Sequence, residues 1–177
     1  PITDALALKG ISMIAENLEK AYENGEDREA RRNMMIASTI GGMAFISSNV
    51  GAVHAFAETV GAWFDTPHGV ANSLFLPYIM EFNIPACPER FADIADAMGI
   101  EREESMSDEQ YALKAVEYVK ALNRKLNIPT IKEIKGITEE RFEAIAERSA
   151  NNVLSNDNAR KITKEDYLEL LKKAYNE

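Results

Sequence analysis

Apolar residues recur at steps of three and four along nearly the whole chain, which is the spacing of the buried face of an amphipathic α-helix. Residues 4–23 show this pattern clearly, since one stripe contains Ala7, Ile11, Ile14, Leu18 and Tyr22. No stretch alternates between apolar and polar residues in the way that predicts a β-strand. The pattern therefore predicts an all-α protein of seven to nine helices, folded as one domain over residues 1–177.

The second and third helices are predicted over residues 27–46 and 52–64, and the fourth begins at His68. Gly41 and Gly42 lie inside the second helix, where each glycine costs about 1 kcal/mol relative to alanine. We expect such a pair where another backbone or a ligand comes close to the helix.

Proline residues mark the end of the third helix and the middle of the fourth. Pro67 biases Thr66 away from helical angles, which predicts a tight turn just before His68. Pro77 is expected to kink the fourth helix, because proline removes a backbone donor and clashes with the preceding turn.

Four further amphipathic helices are predicted over residues 88–98, 107–126, 138–154 and 163–175. Ser107 and Gln110 have the spacing of a capping box at the start of one of them. Thr138 and Thr163 are the predicted N-caps of two others, because acidic residues follow each of them in the first turn.

The balance of charge argues against a nucleic-acid partner. Twenty basic residues stand against 29 acidic ones, for a net charge of -9. Phosphate binding depends on clustered lysine and arginine, which release counterions from the nucleic acid. The hydrophobic share of 46% is that of an ordinary globular chain.

Cys87 is the only cysteine, so no internal disulfide can form and a reducing cytoplasm is the expected location. No apolar run reaches the roughly 18 residues that predict a membrane span, and residues 1–20 lack the regions of a signal peptide. The chain begins at Pro1, already inside helix-forming sequence. We therefore expect it to be a domain from a longer protein.

Both histidines of the chain, His54 and His68, fall in the apolar, glycine-punctuated stretch GAVHAFAETVGAWFDTPHGVAN. A neutral imidazole is the commonest donor to transition metals, and the predicted turn could bring His68 back toward His54. The alternative is that each histidine is a partly buried residue beside aromatic side chains. A spacing of fourteen residues does not decide between the two.

Glu58 lies four residues after His54, so both belong to one face of the third helix. With His68 they could form a two-histidine, one-carboxylate iron site. Equally, Glu58 could point to solvent or pair with an arginine. Other familiar constellations are absent from the sequence, including GxGxxG, the P-loop, CxxC and HExxH.

The motif GxxHAxAxxxGAxxDxPHGxxNxxxLPxxxxFN, over residues 51–83, resembles the iron-containing (group III) alcohol dehydrogenases. The stretches PITDALALKGISMIAENLEKAYENGED, MIASTIGGMAF and the closing helices from LNIPTIKEIKG onward are also similar to that family. The resemblance implies the C-terminal half of a dehydroquinate-synthase-like two-domain enzyme. It also implies that an N-terminal α/β nucleotide-binding domain precedes this half and is absent from these residues.

By this resemblance, His54 and His68 are two of four metal ligands, and one Asp and a further His come from outside the chain. The implied cofactors are Fe(II), in some members Zn(II), and NAD(H) or NADP(H), whose binding residues cannot be assigned here. The implied reaction interconverts alcohols with aldehydes or ketones by hydride transfer. The chain alone is then expected to be inactive.

The resemblance also places Phe45, Val50 and Leu154 around the substrate pocket, with plain core packing as the alternative for all three. Asn72 is expected to brace the turn. Glu58 occupies a position where the family usually has a histidine credited with proton relay, so we predict a catalytic role for this carboxylate. Its reference pKa of about 4.3 is poorly matched to neutral pH. A second departure is Ala159, where the family has proline.

The alternative to an enzyme is a stand-alone helical interaction module or a degenerate paralogue without catalysis. An isolated domain would also expose the apolar cleft face that meets its partner domain, so self-association into a homo-oligomer is expected.

Overall fold

The computed structural model describes all residues from Pro1 to Glu177 and consists of helices joined by turns. Four short 3-10 helices accompany the α-helices, at Ile84–Ala86, Ile131–Glu133, Glu139–Arg141 and Val153–Asp157. There is no strand, and the eight α-helices are α1 (Ile2–Glu23), α2 (Arg28–Ser48), α3 (Ala52–Phe64), α4 (His68–Asn83), α5 (Pro88–Ala97), α6 (Asp108–Lys125), α7 (Phe142–Ala150) and α8 (Lys164–Asn176). The predicted all-α class and the number of helices are confirmed.

The chain forms two compact units. The first unit comprises Pro1–Asn49 and Cys87–Ala115, and the second comprises Val50–Ala86 and Val116–Glu177. The assignment of residues 1–177 to one helical metal-binding domain stays a prediction.

In the first unit, α1 and α2 pack along a stripe of small residues. Ala30, Ala37 and Ala44 recur every seven residues on α2 and are buried. Opposite them lies Gly10 of α1, where a Cβ atom would stand 3.6 Å from Ile40 Cγ2. Small side chains on both helices allow their backbones to approach closely.

No other backbone of this chain makes the expected close approach at Gly41 and Gly42, while approach of a ligand to the pair stays a prediction. Nothing outside the helix lies within 4 Å of the point where a Cβ atom would stand on either glycine. The close contact of α2 is made by Gly10 of α1 instead, because α1 packs against the alanine stripe.

In the second unit, the core is built around α3. Phe56 stacks on Phe75 with ring centroids 4.2 Å apart, and Tyr167 meets Phe56 edge-on at 4.6 Å. Helices α3, α4 and α8 are therefore joined by one aromatic cluster. Ile145 and Ala146 of α7 are fully buried in the same core.

The predicted turn between α3 and α4 is confirmed, since α3 ends at Phe64 and α4 begins at His68. Asp65 takes the left-handed conformation, with φ 51° and ψ 37°. A Cβ atom on Gly61 would lie 3.2 Å from the carbonyl oxygen of Thr66, so glycine lets the turn fold back closely onto α3. Pro77 lies inside α4 and does not end it.

The helix predicted over residues 138–154 is interrupted, because α7 ends at Ala150 and a 3-10 helix follows from Val153. Asn152 is the N-cap of that 3-10 helix, and its side chain accepts a hydrogen bond from Leu154 N. Thr138 is the N-cap residue of the 3-10 helix Glu139–Arg141, as predicted, but its side chain makes no capping hydrogen bond. The caps at Ser107 and Thr163 are confirmed.

No single helix is long and apolar enough to cross a membrane. By length and composition, the consecutive helices Arg28–Ser48 and Ala52–Phe64 meet that criterion only when they are taken together.

Replacing Ala37 by leucine should destabilise the protein by about 1–3 kcal/mol, because the larger side chain would overpack the α1–α2 contact. Ala62→Leu is the matched control, since Ala62 lies exposed on α3. The measurement is the free energy of unfolding in urea. Equal stability of the two variants would contradict the tight packing at Ala37.

Candidate metal centre

The turn between α3 and α4 brings the two histidines together. The ring centroids of His54 and His68 lie 5.2 Å apart, and the ring planes are inclined by 53°. His54 is half-buried in the first turn of α3, whereas His68 is the exposed first residue of α4. Two imidazoles this close can donate to one cation.

The surroundings keep His54 in the form that binds metals. Partial burial lowers the pKa of His54, and the neighbouring His68 lowers it further, while the charge of Glu58 raises it. A metal ligand must be a neutral imidazole with a free lone pair. The histidine pair therefore suits a divalent transition metal.

Asn72 holds the second histidine. Its Nδ2 donates to the backbone carbonyl oxygen of His68 at 2.9 Å and lies 3.1 Å from the Nε2 atom of the same residue. Asn72 is one helical turn after His68, so α4 itself orients the imidazole. The expected bracing role of Asn72 agrees with these contacts.

Glu58 does not join the histidine pair. Its carboxylate Oε2 accepts a hydrogen bond from Asn152 Nδ2 at 2.7 Å. No three His, Cys, Asp or Glu side chains are grouped so that they could hold a metal ion. The alternative of a self-sufficient site from His54, Glu58 and His68 is therefore contradicted, while a catalytic role of Glu58 stays a prediction.

The three residues predicted to line the substrate pocket lie in different parts of the fold. Phe45 is exposed near the end of α2, in the first unit. Val50 is half-buried just before α3, in the second unit. Leu154 packs partly buried against the core of the second unit, which agrees with the packing alternative for this residue. The pocket role of all three stays a prediction.

A cavity of about 500 Å³ opens between α3 and α7 beside Glu58. Trp63 forms part of its wall, and the Arg148 guanidinium lies 5.5 Å from the centre of the Trp63 ring. The other lining residues are polar or small: Thr59, Ala144, Glu147, Asn151 and Asn152.

A buried chain of hydroxyl groups, which no sequence pattern predicted, lies beside this cavity. Ser149 Oγ donates to Thr59 Oγ1 at 3.1 Å, which links α7 to α3. Ser155 Oγ donates to the Ser149 carbonyl oxygen at 2.7 Å and lies 2.7 Å from the Tyr167 hydroxyl oxygen, on α8. Buried polar groups are stable only when they are paired, so the chain fixes these elements relative to one another.

Asn158 was also missed, although sequence analysis examined its neighbour Ala159. Its Oδ1 accepts from Ala52 N at 3.3 Å and from Asn83 Nδ2 at 3.1 Å, and its Nδ2 donates to Asn83 Oδ1 at 2.7 Å. A Cβ atom on Gly51 would lie only 3.0 Å from Asn158 Oδ1. Asn158 therefore supports the first turn of the helix that carries His54.

Known proteins are similar to this chain over nearly its whole length. Residues 1–175 match the model of the Fe-containing alcohol dehydrogenase family, C-terminal. The chain is 40% identical to alcohol dehydrogenase 4 of Saccharomyces cerevisiae over 178 residues, which is 99% of this chain and 44% of the yeast protein. It is 38% identical to 1,3-propanediol dehydrogenase of Klebsiella pneumoniae, covering 99% of this chain and 45% of that protein.

Solved structures show the same likeness. The structure of a 1,3-propanediol oxidoreductase matches 98% of this chain and 45% of its own, with a TM-score of 0.94 and 37% identity. An alcohol dehydrogenase from Oenococcus oeni also has a TM-score of 0.94, at 39% identity, covering 99% of this chain and 45% of its own. The chain belongs to the iron-containing alcohol dehydrogenase family and corresponds to its C-terminal part. It spans a little under half the length of these relatives.

Raising the pH through the alkaline range should lower the free energy of unfolding, because Tyr167 is buried and loses its proton. Burial raises the pKa of Tyr167 from 10.0 to about 12. The folded state therefore favours the neutral phenol, and this contribution is fully present below pH 10 and is lost as the pH rises through 12. We expect a loss of up to about 3 kcal/mol. The measurement is urea unfolding across this range, compared with Tyr167→Phe, which should show a shallower decline. Parallel declines would contradict the prediction.

Metal titration of the chain should reveal a half-site. We expect weak one-to-one binding of Fe(II) under anaerobic conditions and of Zn(II), since only two imidazoles are grouped. His54→Ala should abolish the binding, and Glu58→Ala should leave it little changed. Calorimetry measures both. Tight binding that depends on Glu58 would contradict the arrangement described here.

Proposed function

We propose that this chain supplies the helical, metal-binding part of the active site of an NAD(P)-linked alcohol dehydrogenase. The observation that carries the proposal is the pairing of His54 and His68 at 5.2 Å, on a fold that belongs to the iron-containing family. The reaction interconverts alcohols with aldehydes or ketones. The remaining metal ligands and the nucleotide-binding residues come from outside these 177 residues.

The donor set fits the metal that the family implies. Neutral imidazole suits Fe(II) and Zn(II) alike, so His54 and His68 would hold either cation. When bound, such a cation polarises the oxygen of the substrate as a Lewis acid and stabilises the developing alkoxide. Asn72 orients His68 for this role through its two contacts with that residue.

The residues around the pair would handle the substrate and its proton. Val50 and Leu154 would form an apolar wall that excludes water from the reacting carbon, and a contact of Phe45 with the substrate stays a separate prediction. Glu58 would exchange a proton with the substrate side of the site, in the position where the family usually has a histidine. Hydride transfer would take place with NAD(H) or NADP(H) held by the nucleotide-binding part.

We further propose a cytoplasmic, homo-oligomeric enzyme acting on a small alcohol or aldehyde, without a nucleic-acid or membrane partner. The single cysteine supports a reducing compartment. Exposed apolar side chains on α2 support burial against a protein surface, among them Met35, Met43 and Ile46.

A chimera tests the proposal. The part of the Klebsiella 1,3-propanediol dehydrogenase that this chain does not match would be joined to the N-terminus of the chain. With Fe(II) and NAD⁺, the chimera should oxidise short alcohols, and the 177-residue chain alone should not. Production of NADH is the measurement.

His54→Ala in the same chimera is the matched control and should lower kcat by at least about a hundredfold. An active His54→Ala chimera would contradict the metal role of this residue. Turnover of NADH with a short aldehyde by the chain alone would contradict the proposed division of the active site. A folded chimera that binds iron and NAD⁺ yet remains inactive would contradict the function itself.

A further inference from the structure

Glu58 lies within reach of the histidine pair but is held elsewhere. It follows His54 by one turn of α3, a spacing that places the two Cβ atoms about 5–6 Å apart. A carboxylate oxygen is an ordinary ligand of divalent iron and zinc, so a free Glu58 could complete a three-ligand set. Instead its Oε2 accepts from Asn152 Nδ2 at 2.7 Å.

The orientation of the Asn152 amide is settled by its second contact. Its Oδ1 accepts from Leu154 N at 3.0 Å and thereby caps the 3-10 helix Val153–Asp157. Because the oxygen is engaged as the cap, the NH₂ group is the part that faces Glu58. The contact pairs an amide donor with a carboxylate acceptor at 2.7 Å, at the exposed side chain of Glu58.

The backbone that carries Asn152 is itself anchored to α3. Ser149 precedes it and donates to Thr59 Oγ1, which neighbours Glu58 in sequence. Ser155 follows it and binds both the Ser149 carbonyl oxygen and the Tyr167 hydroxyl. Ser149 and Thr59 are almost completely buried, so this connection resists displacement. The amide of Asn152 is therefore presented to Glu58 from a fixed position.

We infer that Asn152 is a positioning residue that tethers Glu58 and keeps its carboxylate off the His54–His68 pair. This inference rests on the proposed function, because it assigns the pair to a metal. The tether leaves the two imidazoles as a half-site that takes its other ligands from elsewhere. It also keeps the Glu58 carboxylate at the cavity between α3 and α7, where it can serve proton exchange.

Metal affinity tests the tether, because loss of the tether should raise the affinity whereas disruption of the fold should lower it. Asn152→Ser retains a cap-forming side chain but removes the amide donor, so Glu58 should swing to the histidines. The affinity for Zn(II) and Co(II) should then rise by about tenfold or more. A disrupted site would bind these metals more weakly. Asn151→Ser is the matched control and should leave the affinity unchanged.

The absorption spectrum of bound Co(II) is the second readout, because a new carboxylate ligand changes its coordination. The double variant Asn152→Ser with Glu58→Ala should return to the wild-type affinity.

If Asn152→Ser loses helical content, Asn152→Asp takes its place, since Asp also caps the 3-10 helix but repels Glu58. An unchanged affinity in folded Asn152→Ser, or a gain that survives Glu58→Ala, would overturn the inference.

A double-mutant cycle of unfolding free energies distinguishes a failure of the tether from a failure of the proposed function. If none of the variants binds Zn(II), the metal centre is contradicted. The tether is then tested only by the free energies of unfolding of the variants. Glu58→Ala, Asn152→Ser and the double variant form a double-mutant cycle in urea. Non-additive losses of stability would support the tether, and strictly additive losses would overturn it.

Discussion

The tight turn between α3 and α4 is the constraint on which the site depends. Asp65 takes a left-handed conformation and Gly61 leaves room for the Thr66 carbonyl oxygen. These two features allow α4 to begin within four residues of the end of α3, and so bring His68 beside His54. A wider connection would separate the imidazoles, because each histidine is fixed to its own helix.

Polar contacts inside the second unit hold α3 in place around that turn. Asn158 supports its first turn, and the hydroxyls of Thr59 and Ser149 join its later part to α7. Thr59 and Ser149 are buried and paired, so they specify one position of the helix where apolar packing alone would permit several. The aromatic cluster around Phe56 belongs to the apolar core of the same unit.

The two imidazoles lie side by side without a third ligand grouped with them, and the Glu58 carboxylate is bound by Asn152 instead. The partner of the exposed Glu58 carboxylate is a neutral amide donor.

The sequence by itself determined the elements and the family, because both depend on local spacing. The period of apolar residues predicts seven to nine helices, of which the structure has eight, and the motif around His54 and His68 identifies the family. Only the tertiary structure decided how Glu58 is used, because its partner Asn152 is 94 residues away along the chain. The same holds for Asn158, 106 residues from Ala52. Contacts between distant residues depend on packing of the whole unit, and no local pattern records them.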